Sequence, residues 1–382
     1  MMFYDANRRG SRIAARILIA LLIVAGGIGI AGRGQISSGE LADIRTVIES
    51  AKSTRATAAA SMDFAQGTMH ANDFQSAITS TRRAVADYDQ LAASASLTRF
   101  TSDSPFAQFV FTPRATLLGT VDRLNNAANT MQTQTAALID AMETSFANDF
   151  RTDGGHWMVQ VDDPAAINEL VSRYGKQRSY QTLQEHLDDL KSLYNLEQRV
   201  RQQVADSIAA VHAGETNAAQ IAVPTEAGAM DAAGWLGTAQ SVASTLGVQV
   251  KQTSVYGCPG ADDNGDDNAD MVIGFFCGGS QASRNEVNML TTHPEWPAVE
   301  RSPLLVDYTK HELAHRSIMI VCGTTEPEIA ANRTEAVTNS YAVQFLGASR
   351  ERIAGSQQGL AAYAMDAQSD QIAQSIHNGT CA

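Results

Sequence analysis

The chain has 382 residues, a formal net charge of −13, 44% apolar residues and only 18% charged ones. That length supports two or three domains with a sizeable core. The acidic balance excludes a nucleic-acid binder, which needs a basic face, and the apolar content excludes a chain that is disordered throughout.

The first element is N-terminal. Arg8, Arg9, Arg12 and Arg16 stand against one acid, Asp5, and are followed by an uncharged apolar run from Ile17 to Gly32 that ends at Arg33. The run is slightly short for a hydrocarbon core of about 30 Å. Snorkelling by Arg16 and Arg33, and Ile13 to Ala15, extend its reach. A cleaved signal peptide needs a small-residue cleavage site, and Ile30-Ala31-Gly32 is a poor one with Arg33 next. The expectation is an uncleaved single-pass signal anchor, with the Arg-rich tail cytoplasmic and the rest of the chain outside. A buried core helix is the plainer alternative.

From about residue 36 to 215 the pattern is helical. Leu41, Ile44, Ile48 and Ala51 keep three-and-four spacing. Leu117, Val121, Leu124, Ala128, Met131, Thr135, Leu138 and Met142 form a heptad seam diluted by Ala and Thr. A third stripe runs Leu183, Leu187, Leu190, Leu193, Leu196, Val200, Val204, Ile208, Val211. Breaks are expected at Thr101 to Pro105 and at Asp153-Gly154-Gly155, which predicts an antiparallel bundle with scope for self-association. Its histidines, His70, His156, His186 and His212, share no ligand spacing and read as surface or partly packed groups.

Composition shifts at Ala213 to Ala227, where a domain boundary is expected. A helix over 229–246 and a β-prone run over 248–256 follow. Asp262 to Asp270 is acid-rich without EF-hand spacing; it reads as a solvated loop, with a Ca²⁺ site as the alternative. Met271 to Cys277 is a short apolar strand, read either as an ordinary buried strand or as an edge strand that takes an extended peptide. All four cysteines, Cys258, Cys277, Cys322 and Cys381, lie in this half. An even number in an exported chain predicts two disulfides. Of three pairings, Cys258–Cys277 with Cys322–Cys381 is favoured, because the first two are close in sequence. The second bridge would contribute about 3–4 kcal/mol through loop entropy. A four-cysteine zinc site would require a C-x-x-C pair, and there is none.

The segment His311-Glu312-Leu313-Ala314-His315 carries the most specific chemistry. Histidines four apart share a helix face and reach one ion. Glu312 sits beside that ion, where it can act as a general base. Asp307 is a candidate N-cap and Gly323 a candidate C′ residue for the helix. A catalytic zinc needs a third protein ligand. Glu335, separated from His315 by nineteen residues and set on a second helical stretch over 326–347, is the leading candidate, with Glu326 and Glu328 as rivals.

With its second helical motif Glu335-Ala336-Val337-Thr338-Asn339, the sequence resembles the gluzincin, thermolysin-like clan of metallopeptidases. It also resembles a group of actinobacterial membrane-anchored proteins regarded as peptidases. The likeness covers roughly residues 255 to 382. It implies zinc ligands at His311, His315 and Glu335, Glu312 as general base, and Asn339 orienting a ligand histidine. Asn339 stands where the clan has Asp, and Arg316 and Ser317 where less polar residues are usual, so a wetter helix face is expected just past the site. His377 and Tyr341 are candidates, by residue type only, for stabilising the transition state.

The expected fold is mainly α with a small β element (α+β). Residues 1–33 are a cytoplasmic tail and transmembrane anchor, 34–225 an extracytoplasmic helical bundle, and 226–382 a zincin-like catalytic domain. The expected function is hydrolysis of peptide bonds in a peptide or protein substrate by zinc-activated water. The alternatives are a zinc domain kept only for structure and a metal-free helical scaffold.

Overall fold

A computed structural model describes residues 36–95, 100, 114–161, 163–176, 178–258, 272–279 and 283–382. The expected anchor, the break at 101–105, the acidic loop and Met271 lie outside these residues. Among the described residues no helix is long and apolar enough to cross a membrane.

The protein is mainly helical with one three-stranded sheet. It divides into two compact units: residues up to 150 with 173–195, and residues 151–172 with 196–382. The expected catalytic segment, 226–382, lies wholly in the second.

In the first unit, α1 (Ser38–Gly67) opens on a capping box in which Ser37 and Glu40 bond reciprocally, satisfying two otherwise orphaned amides. It is followed by α2 (Gln75–Ser94) and α3 (Arg114–Gln160). The stripe Leu41, Ile44, Ile48 and Ala51 is buried against Leu117, Leu124 and Met131 of the heptad seam. Leu138 and Met142 continue the seam into a second cluster with Phe74, Ile78, Leu187 and Leu190.

The third stripe lies on α5 (Leu183–Gln220), which follows α4 (Ala165–Gly175). His186 is buried, with its Nε2 3.0 Å from the Glu143 carboxylate and its ring stacked on Tyr180. Arg178 also bonds Glu143.

The expected break at Asp153-Gly154-Gly155 does not occur, because α3 runs through it to Gln160. Two glycines inside a helix cost about 1 kcal/mol each. The turn beyond them offsets this by burying Trp157 and Val161, with the Arg201 guanidinium over the Trp157 ring at 4.7 Å.

The second unit is built around α8 (Leu304–Cys322), a helix buried on nearly every face. Packed on it are α6 (Ala232–Ser244) and α9 (Thr334–Phe345). The remaining helices are α7 (Trp296–Val299), α10 (Arg350–Ser356) and α11 (Ala367–His377), the last packed on α9. The sheet has order β1 (Gln249–Thr253), β3 (Glu286–Leu290), β2 (Gly274–Phe276). β1 runs parallel to β3, with Val250 beside Val287; β2 runs antiparallel, with Phe275 beside Asn288. The apolar run before Cys277 therefore ends in an edge strand, and the buried central strand β3 is one the sequence pattern did not reveal.

A helix buried all round needs partners for nearly all the polar side chains it carries; in α8 the Ser317 hydroxyl is left without a hydrogen-bond partner. Asp307 is not the N-cap of α8. It lies one turn inside, buried, and accepts from the Arg352 guanidinium and the Ser349 N–H. Lys310 donates to the Gly347 carbonyl at 2.8 Å. Nor does the helix expose a wetter face past its second histidine. Arg316 and Ser317 are both buried, and Arg316 Nε donates to the Arg284 carbonyl at 2.9 Å. At the C-terminal end Gly323 adopts φ 73°, as expected of a C-capping glycine. The Gln160 amide donates to the carbonyls of Ile320 and Val321, which lack helical partners. Cysteines pair as 258–277 and 322–381, each with Cα atoms 5.5 Å apart.

Candidate metal centre

The helical period of α8 places His311 and His315 one turn apart on one face. Their rings meet almost at right angles, 89°, with centroids 4.8 Å apart. From α9, Glu335 comes between them: its Oε2 lies 3.1 Å from His311 Nε2 and 3.4 Å from His315 Nε2. Glu326 and Glu328, the rival third ligands, are exposed and do not join them.

The outer nitrogens explain why the three atoms face one another. His311 Nδ1 donates to Asn339 Oδ1 at 2.7 Å. Thr338 Oγ1 lies 3.4 Å from His315 Nδ1 while its own hydrogen goes to the Thr334 carbonyl. With hydrogens on both Nδ1 atoms, each neutral ring turns an Nε2 lone pair toward Glu335 Oε2, which is buried and has no well-formed hydrogen bond. Three lone pairs directed at one point require a positive charge there. Burial disfavours a charged His311, yet its contact with Glu335 and the charge of Glu312 raise its proton affinity. Burial likewise opposes ionisation of Glu335, but the two imidazoles hold its carboxyl far below the usual range. A metal ion would answer the same demand as a proton, and two imidazoles with one carboxylate form a fitting donor set.

Two other groups bring histidine and acids together. In His212, Glu215 and His377 the two rings are stacked, 4.0 Å apart and 19° from parallel, so their in-plane lone pairs run in separate layers and do not meet at one ion. In Asp140, Glu143 and His186 the Arg178 guanidinium already neutralises Glu143. Among the described residues, only the α8–α9 group sets two imidazoles at right angles around one carboxylate.

Asn339 is fully buried and its orientation is fixed. Its amide donates to Gln357 Oε1 at 2.7 Å and to the Tyr363 carbonyl at 3.0 Å, leaving Oδ1 for His311. An Asp would keep the bond to His311 and lose both donated ones. The amide of Gln357 could turn over in response, but the Tyr363 carbonyl would still face a carboxylate. Asn339→Asp is therefore expected to destabilise the protein by about 1–3 kcal/mol, measured by urea denaturation. An aspartate variant as stable as the parent would show that this bonding does not fix Asn339.

Glu312 is buried at 6% exposure, with Gly274 of β2 against it; a Cβ there would come within 3.2 Å of its carboxylate. Burial raises its proton affinity, while the charges of His311 and His315 pull the other way. Glu312 and His311 open onto a cleft of ≈ 220 Å³. The two candidates for stabilising a transition state are not in it. The Tyr341 hydroxyl donates to Glu215 at 2.8 Å, and His377 Nε2 lies 3.2 Å from the same carboxylate. The cleft is lined instead by His293, Tyr308 and Tyr363. His293 Nδ1 accepts the Glu295 N–H at 3.2 Å, so its Nε2 keeps the hydrogen. Burial, and then the charges of Glu335 and Glu312, raise the Tyr363 phenol so that it stays protonated. These residues carry no local sequence pattern; only the chain's return past the site collects them. Compared with family models, curated proteins and solved structures, the chain matches none.

Proposed function

We propose that the protein is a zinc metallopeptidase of the gluzincin type, with zinc held by His311, His315 and Glu335. The observation that carries this is the convergence of three ligand atoms, from two perpendicular imidazoles and one carboxylate, beside a second carboxylate, Glu312, on an open cleft. When bound, zinc supplies Lewis acidity, acidifying a water and polarising a carbonyl.

The chain's own residues do the rest. Glu312, buried and one residue from a ligand, takes a proton from the attacking water and passes it to the leaving amine. Tyr363 Oη–H and His293 Nε2–H are the cleft's donors toward the oxyanion that develops on the scissile carbonyl. Asn339 positions His311 and, through the Tyr363 carbonyl, the loop that carries the phenol. Among the described residues β2 pairs on one side only, and its other side is where an extended peptide would add.

The alternative is a purely structural zinc domain, for which Arg316 and Asn339, where the sequence departs from the clan pattern, would speak. Arg316 turns to the backbone at Arg284, and the cleft beside Glu312 stays open, which favours the hydrolytic reading. The Arg-flanked run from Ile17 to Gly32 and the two disulfides support a membrane-anchored protein acting outside the cytoplasm.

Protein purified without chelator is expected to hold about one zinc per chain. It should also cleave an unstructured protein, with activity removed by a chelator and restored by zinc. Absence of zinc, or zinc without cleavage, would overturn the reading.

A further inference from the structure

We infer that the cleft selects a cationic side chain, lysine or arginine, in the bound peptide and that Glu295 recognises it; the inference rests on the hydrolytic reading above. Among the described residues, the lining of the cleft contains carboxylates and no lysine or arginine. Two carboxylates at the site already have tasks, Glu335 at the metal and Glu312 in proton transfer. Glu295 has none. It is exposed on the wall of the cleft and makes no ion pair among the described residues. His293, beside it, turns its Nδ1 to the Glu295 N–H and not to the Glu295 carboxylate.

The backbone that carries Glu295 is pinned on both sides. The His293 N–H donates to the Leu290 carbonyl, the Trp296 N–H donates to the His293 carbonyl, and Trp296 is buried. Tyr308 lines the same cleft; burial raises its phenol, a hydrogen bond with Ser356 works against this, and the Glu295 charge raises it further. The rest of the wall suits a long cationic side chain. Val272, Ile273 and Leu360 offer apolar surface to an aliphatic stem, with Glu295 left for the head group. The chain's charge of −13 favours the same class of substrate at long range.

The test uses peptides blocked at both ends, so that no terminal amine competes, with one lysine moved through the positions around the cleaved bond. At one position the parent protein is expected to prefer Lys and Arg over norleucine in kcat/KM by roughly five- to tenfold, the strength of one partly screened ion pair, and to reject Glu. Glu295→Gln should bring the Lys-to-norleucine ratio near one, and Glu295→Lys should turn the preference toward Glu. Cleavage with no cationic preference, or a preference that survives Glu295→Gln, overturns the inference alone. Failure to cleave any peptide in the presence of zinc overturns the hydrolytic reading and the inference together.

Discussion

Glu312→Gln is expected to lower peptide hydrolysis by about a hundred- to ten-thousandfold while the zinc content stays unchanged. Glutamine has nearly the shape of glutamate, so the buried site beside Gly274 can accept it without repacking. What it lacks is a group that takes up a proton at neutral pH. Glu312 is not among the three groups whose atoms converge on the metal position, so the donor set survives the change. The result should appear as a fall in kcat with little change in KM, since the proton is transferred only in the reacting state. Metal analysis of the same sample is the control. Loss of zinc with Glu312→Gln would mean that Glu312 is a ligand. Retained activity would mean that another group is the base.

Glu335→Ala has the opposite signature. It removes the only anionic donor and leaves two neutral imidazoles, and zinc affinity is expected to fall by at least about a hundredfold. Zinc held by groups that only folding brings together would stabilise the folded state, so the parent should melt at a higher temperature with zinc than after chelation, and in the variant this difference should vanish. The variant also tests the stacked histidines: bound zinc should fall to none, because His212 and His377 do not aim their lone pairs at one point. One zinc retained per chain would show either that Glu335 is not a ligand or that a second site exists.

Much of this site was legible in the sequence because helices repeat with a fixed period. His311 with His315, and Glu335 with Asn339, are each four apart, so their side chains had to share a face. The apolar stripes at Leu41, Leu117 and Leu187 identified buried helix faces for the same reason. The favoured cysteine pairing needed only short sequence separation. What stayed hidden depends on contacts between distant segments. His293 and Tyr363 reach the cleft from a turn after β3 and from the loop between α10 and α11. Gln160 caps the ends of α8 from 160 residues away. Gly154 and Gly155 looked like a break because local propensity could not register the packing of Trp157. Tyr341 and His377 were chosen by residue type and belong instead around Glu215.

The bridge between Cys322 and Cys381 bears on how the protein is handled. Glu335, Asn339, Gln357 and Tyr363 all lie inside the covalent ring it closes, and the ring is fastened at the end of the helix that carries both histidines. A thiol reductant would thus loosen the acidic donor and one wall of the cleft while leaving the two imidazoles on their helix. Protein made in a reducing cytosol, or stored with a reducing agent, would resemble a weak chelator with a half-assembled cleft. Oxidised material, with both bridges closed, is the form in which the two histidines and Glu335 are held together.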